Sequence, residues 1–182
     1  MHVILTVIGI GWVVFWVGWF LAGLTAKSSQ RGGWSRLAGL RGVSAIVVII
    51  LIRVTMSGHR AITSPLLDGI GLAVWALGLA LAIWARFYLG KNWGMPMTRR
   101  EEPDLVTTGP YRLIRHPIYT GIIVAVAGTA LATSLYGLIG VAVLLAYFAY
   151  SARTEERFLT ERFPDTFPPY KARTKMLIPF VV

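Results

Sequence analysis

Long charge-free runs separated by short basic segments dominate the chain. Val3 to Ala26 carries no charge over 24 positions, against about 20 apolar residues needed to cross a bilayer. No Lys or Arg precedes this run, and it is too long for a cleaved leader, so a retained helix is expected. A second span is bracketed by Arg41 and Arg53, which enclose only 11 uncharged residues. Arg53 must therefore lie inside that span near its far end, either snorkelling to the headgroups or pairing with Asp68, which opens a third span on the same side. The third span runs from about Leu66 to Leu89. After a polar stretch, Lys91 to His116, come 36 residues without charge, Pro117 to Ala152. A single helix of that length would extend about 54 Å, far beyond the ~30 Å hydrocarbon core. Two helices folded back near Ser134 to Gly137 are expected instead. Gly121, Ala125, Thr129 and Thr133 recur every four residues and give the first of the two a small face for close packing.

The pattern predicts an all-α integral membrane protein of about five transmembrane helices, with spans four and five forming a helical hairpin. Residues 1–65 hold the first two spans, and 66–182 hold the other three with the connecting segment and tail. Composition agrees: 55% of the 182 residues are hydrophobic and 14% charged, where a soluble domain carries about 25%. The chain contains no cysteine, which removes disulfides, thiolate metal sites and thiol nucleophiles from consideration, and no metal site is expected. The net charge is +10. Its basic residues fall between apolar blocks, which is membrane topology and not a nucleic-acid surface. Of 18 Lys and Arg, Arg53 and Arg60 alone fall on one side of the predicted spans. The positive-inside rule then places the N-terminus outside, and residues 91–116 and the C-terminal tail in the cytoplasm, of a multi-pass cell-membrane protein.

Those two cytoplasmic segments carry the chemistry. Residues 105–111 read as a turn, Leu-Val-Thr-Thr-Gly-Pro-Tyr, followed by Arg112, Arg115, His116 and Tyr119. A helix from about Pro110 would set these side chains on one face, with Pro117 distorting it at the membrane entrance. Glu155 and Glu156 leave the last span at the same surface, because a charge-free hairpin begins and ends on one side. A basic-aromatic cluster is thus expected to face a carboxylate pair. Each member also has a plainer role: Arg112 and Arg115 as headgroup anchors, Tyr111 and Tyr119 as interfacial aromatics, and the glutamates as a solvated helix end.

The run from Leu105 to Arg112, continued by Arg115-His116-Pro117-Ile118-Tyr119-Thr120-Gly121, resembles the signature of the isoprenylcysteine carboxyl methyltransferase family. Glu155-Glu156, Phe163, Tyr170 and Leu177-Ile178-Pro179 follow at family-like intervals, and Trp84-Ala85-Arg86 with Leu89-Gly90 resembles the preceding helix. The resemblance covers residues 75–180. It implies an S-adenosylmethionine-dependent methyltransferase, with a cytoplasmic cofactor pocket formed by residues 91–119 and the tail. Asp104, Leu105, Val106, Tyr111, His116, Pro117, Tyr119 and Glu155 are the implied cofactor contacts. The arginine that such enzymes assign to substrate falls on Ser151 here, leaving Arg153 as the nearest catalytic candidate.

The implied acceptor is a lipid or other lipophilic small molecule entering from the bilayer, an isoprenylcysteine-like carboxylate foremost. A phospholipid amine or a thiol is the alternative within the same fold. A nicotinamide-dependent membrane reductase and a non-catalytic membrane protein are the readings from other classes. Nucleic acid is not an expected partner.

Overall fold

The computed structural model describes residues 2–23, 64–90 and 104–178. Its elements are α1 (His2–Gly23), α2 (Pro65–Leu89), a 3-10 turn (Gly109–Arg112), α3 (Pro117–Thr133), α4 (Gly137–Arg162) and α5 (Phe167–Arg173). Among the described residues there is no strand, only an isolated bridge between Ile114 and Lys175. The predicted second span with Arg53, residues 91–103 of the pocket segment and the terminal residues 179–182 lie outside the described residues. So does the alternative in which Arg53 pairs with Asp68.

α2 and α4 are each long and apolar enough to cross a membrane; α3 is a shorter apolar helix, as is the Val3–Trp19 core of α1. Their outward faces are apolar. Phe87 is 79% exposed, Leu77 69% and Ile139 68%, an exposure that suits lipid and not water. The expected fold-back is present: α3 ends at Thr133 and α4 begins at Gly137, with the Gly137 amide donating to the Ser134 carbonyl at 2.9 Å to close the turn.

The tightest packing joins α2 to α3. A Cβ added at Gly78 would lie 2.3 Å from the Ala125 amide nitrogen, and one at Gly128 2.2 Å from that of Trp75. Gly71 and Gly78 on α2 face Gly128 and Gly121 on α3, so the two backbones touch along two turns of each helix. Apolar burial drives little association where the solvent is itself hydrocarbon, and close van der Waals approach takes its place. The small stripe predicted on α3 is therefore buried, but chiefly against α2 and not against its hairpin mate. Thr129 and Thr133 satisfy their hydroxyls on carbonyls one turn earlier, at 2.9 and 2.6 Å. The Trp12 indole of α1 donates to Thr129 Oγ1 at 3.0 Å.

The segment before α3 departs from expectation. In place of a helix from Pro110 through Tyr119 there is one 3-10 turn, a bend, and a helix that starts at Pro117. Proline lacks an amide hydrogen and pushes the preceding residue out of the helical region. His116 accordingly sits at φ −125°, ψ 59°, and Pro117 occupies the first helical turn. The amides of Arg115 and His116 turn to the tail instead, donating to the carbonyls of Lys175 at 2.8 Å and Met176 at 3.1 Å. Thr120 Oγ1 adds a bond to the Leu177 carbonyl at 2.6 Å. The tail is thus stitched to the mouth of α3. Gly109, at φ +59°, begins the 3-10 turn beneath the Tyr88 ring, where a Cβ would come within 2.5 Å of that ring.

Candidate functional site

Two helix ends meet at this surface. α3 presents His116 and Tyr119 from its first turn, and α4 presents Glu155 and Glu156 near its last. His116 lies between the two carboxylates, with Nδ1 3.5 Å from Glu155 and Nε2 3.5 Å from Glu156. The Tyr119 hydroxyl donates to Glu155. The imidazole runs parallel to the Tyr119 ring at 5.4 Å, and Tyr119 stacks on Phe148 of α4 at 4.4 Å. Phe148 lies two helical turns before Glu155, so aromatic wall and carboxylate share one face of α4.

The two glutamates differ in their surroundings. Glu156 is 5% exposed and holds the Arg115 Nε at 2.6 Å and the Lys171 Nζ at 2.7 Å, with His116 as a third neighbour. Arg115 continues the network into the tail, donating to the carbonyls of Lys171, at 3.1 Å, and Thr174. Glu156 therefore fastens α5 to the hairpin. Glu155 is 23% exposed, against 5% for Glu156, and is met by His116 and Tyr119.

Burial would strip charge from the His116 imidazole, but the carboxylates on both sides outweigh it and raise its pKa above the ordinary 6.5. Burial likewise pushes the Tyr111 hydroxyl well above 10 and that of Tyr170 up to about 12. Both tyrosines are neutral donors at physiological pH, and Tyr170 donates to the Tyr111 carbonyl at 2.7 Å. Two polar atoms here are buried with no hydrogen-bond partner among the described residues: His116 Nε2, whose 3.5 Å approach to Glu156 lacks hydrogen-bond geometry, and Ser151 Oγ, one turn before Glu155. Buried polar atoms are rarely left so, and a polar ligand would satisfy them.

Of the residues singled out from sequence, His116, Tyr119 and Glu155 are brought into direct contact. Pro117 is buried at the head of α3, and Tyr111 is buried close enough for the Glu155 charge to act on it. Val106 packs on the core, Leu105 is half-buried and Asp104 is exposed. Arg153 is exposed on α4, and among the described residues no contact joins it to the cluster. Sequence reasoning missed the clamp that Lys171 and Thr174 make with Arg115, as well as Phe148, and took Ser151 only as the position of a missing arginine. The seven- and four-residue spacings to Glu155 point to the last two; nothing local signals Lys171, which a proline-broken loop separates from its partner.

Fold and cluster together define a helical protein with membrane-length apolar helices and a carboxylate pair at the mouth of a hairpin. A family profile for phospholipid methyltransferases matches residues 67–166, and the chain belongs to that family. It is 31% identical over 144 residues to a cobalt-zinc-cadmium resistance protein of Cupriavidus metallidurans, covering 76% of this chain and 62% of that one. It is 40% identical over 78 residues to methanethiol S-methyltransferase 1 of Bradyrhizobium diazoefficiens, covering 43% and 27%. It is 29% identical over 119 residues to protein-S-isoprenylcysteine O-methyltransferase B of Arabidopsis thaliana, covering 63% and 60%. The match thus spans less than two thirds of the length of these relatives. The resemblance read from the Arg115-to-Gly121 signature and the glutamate pair agrees with these relationships.

Proposed function

We propose that the protein is an integral-membrane methyltransferase that takes S-adenosylmethionine from the cytoplasm and a lipophilic acceptor from the bilayer. The single observation that carries this reading is the division of labour between the glutamates. Glu156 is tied to Arg115 and Lys171, whereas Glu155 is a partly exposed carboxylate held in place by Tyr119 and His116 at the mouth of the hairpin. Such a group suits the α-ammonium of the cofactor. Tyr111, His116 and Tyr119 offer flat bodies with polar tips for adenine and ribose, and the chain from Asp104 to Val106 with Pro117 completes the pocket. Arg153 would act on the acceptor side. When bound, the cofactor supplies an electrophilic sulfonium methyl group. The protein's part is to align an acceptor with it and to exclude water.

In the full proposal five helices span the membrane, residues 1–65 anchor the chain, and residues 66–182 form the catalytic unit with its pocket facing the cytoplasm. The acceptor class is an isoprenylcysteine-like carboxylate. A thiol acceptor is the second reading, favoured by the 40% identity to a methanethiol methyltransferase over the stretch they share.

Calorimetry with S-adenosylhomocysteine on the purified protein tests the cofactor site. Glu155→Gln keeps the shape and removes the charge, so affinity should fall about ten- to a hundredfold, the worth of a charge-assisted contact of roughly 1.5–3 kcal/mol. No binding by the wild type, or wild-type affinity in both Glu155→Gln and His116→Ala, would overturn the placement. Radiolabelled methyl transfer to prenylcysteine, thiol and phospholipid acceptors then separates the substrate classes.

A further inference from the structure

We propose that the cleft between the 3-10 turn and α5 binds a phosphate oxyanion, the headgroup of an anionic phospholipid, at a site separate from the Glu155 cluster. Thr107, Arg112, Tyr170 and Arg173 line this cleft of about 300 Å³. Arg112 and Arg173 are both exposed, and among the described residues neither is paired with a carboxylate. Their neighbours Arg115 and Lys171, by contrast, are held by Glu156. Two guanidiniums facing one small cleft repel each other, an anion entering it relieves that repulsion, and each presents a planar fork of donors that matches phosphate oxygens. The walls are fixed. Tyr170 is buried, with its hydroxyl committed to the Tyr111 carbonyl, and the Arg173 guanidinium lies over its ring at 5.9 Å. Thr107 adds a neutral hydroxyl donor.

The surroundings favour a lipid as the source of that phosphate. Leu113, next to Arg112, is 62% exposed, and Ile178 in the tail is 44% exposed. α3 enters its apolar span at Pro117, five residues after Arg112, and the Ile114–Lys175 bridge pins the tail to the same level. Apolar prongs beside cations at the depth where a helix enters the bilayer match the headgroup layer, whereas a soluble phosphate has no use for the prongs.

Thermal unfolding of the full chain in neutral detergent reads this site, because a ligand of the folded state alone raises the midpoint saturably. Short-chain phosphatidylglycerol should raise it at concentrations about tenfold or more below those at which phosphatidylcholine or inorganic phosphate act, as expected for charge-assisted contacts to an anchored headgroup. The doubly substituted Arg112→Gln, Arg173→Gln protein should lose the response, while Arg157→Gln, an exposed cation of α4 outside the cleft, should keep it. If the double glutamine protein does not fold, Arg112→Lys with Arg173→Lys keeps the charge, loses the planar forks and should respond only weakly. An equal response to inorganic phosphate would overturn the lipid assignment. An equal loss in Arg157→Gln would reduce the effect to general surface charge. Abolition of the phosphatidylglycerol response by S-adenosylhomocysteine would hand the cleft to the cofactor carboxylate and overturn the proposal.

Discussion

Glu155 and Glu156 are neighbours in sequence with separable roles, and the separation can be measured. Glu156 and Arg115 are almost fully buried, with 5% and 9% of their side chains exposed. Removing one partner of such a pair strands the other charge in a poor solvent, at a cost on the order of 3 kcal/mol. Glu156→Gln should therefore lower the unfolding midpoint strongly, while the protein that remains folded binds S-adenosylhomocysteine nearly as before. Glu155→Gln should do the reverse. Equal effects of the two changes on both readouts would dissolve the distinction. His116 adds a pH dependence. Its pKa is raised above 6.5 by the flanking carboxylates, which outweigh its burial. The protonated imidazole thus contributes stability that is fully present below about pH 6.5, its unfolded value. That contribution is lost as pH rises through the higher folded value. The midpoint measured from pH 6 to pH 9 should fall along this window, and His116→Gln should flatten the slope; an unchanged slope would show that another group titrates.

At the level of elements, the helices were legible where one physical rule acts alone. A third span of about Leu66 to Leu89 against the observed Pro65–Leu89, and a turn near Ser134 to Gly137, follow from bilayer thickness and from charge confined to the helix ends. The small face of α3 was legible as a face, but spacing along one helix does not name the helix that will meet it. Gly71 and Gly78, seven residues apart on α2, supply the match. Before α3, two rules competed. The three- and four-residue spacings from Arg112 to Tyr119 called for a helix, and Pro117 overruled them, because the lost amide and the restricted His116 backbone act whatever the side chains prefer. The contact of His116, Tyr119 and Glu155 was legible from the hairpin, whereas Lys171 was hidden because a tail's return path leaves no periodic trace. The α2–α3 contact yields its own prediction. Gly78→Ala places a methyl 2.3 Å from a backbone nitrogen, so the helices must part, at a cost of about 1–3 kcal/mol or more. Gly69→Ala, on the same helix with nothing within 4 Å, should be neutral or stabilising by up to about 1 kcal/mol. Equal midpoints for the two variants in detergent would mean that the helices do not touch as described.

For the whole molecule, one surface collects nearly all the charged side chains among the described residues. The Tyr88 end of α2 lies against Gly109, His116 at the start of α3 touches Glu155 and Glu156 near the end of α4, and the tail is bonded to the mouth of α3 and to Glu156. Every Lys and Arg among the described residues, from Arg86 to Lys175, falls toward this end of the helices; the far end, with Asp68 at the start of α2 and the turn from Ser134 to Tyr136, has none. Basic residues stay on the cytoplasmic side during insertion, so this surface should face the cytoplasm, where a water-soluble methyl donor is found. The absence of cysteine makes the orientation directly testable. Thr166 is exposed just before α5, and Tyr136 is 57% exposed at the opposite turn. In intact cells, a membrane-impermeant maleimide should label Tyr136→Cys and reach Thr166→Cys only after permeabilisation. Labelling of Thr166→Cys in intact cells, with Tyr136→Cys protected, would turn the molecule over and place the Glu155 cluster on the wrong side of the membrane for the proposed cytoplasmic cofactor.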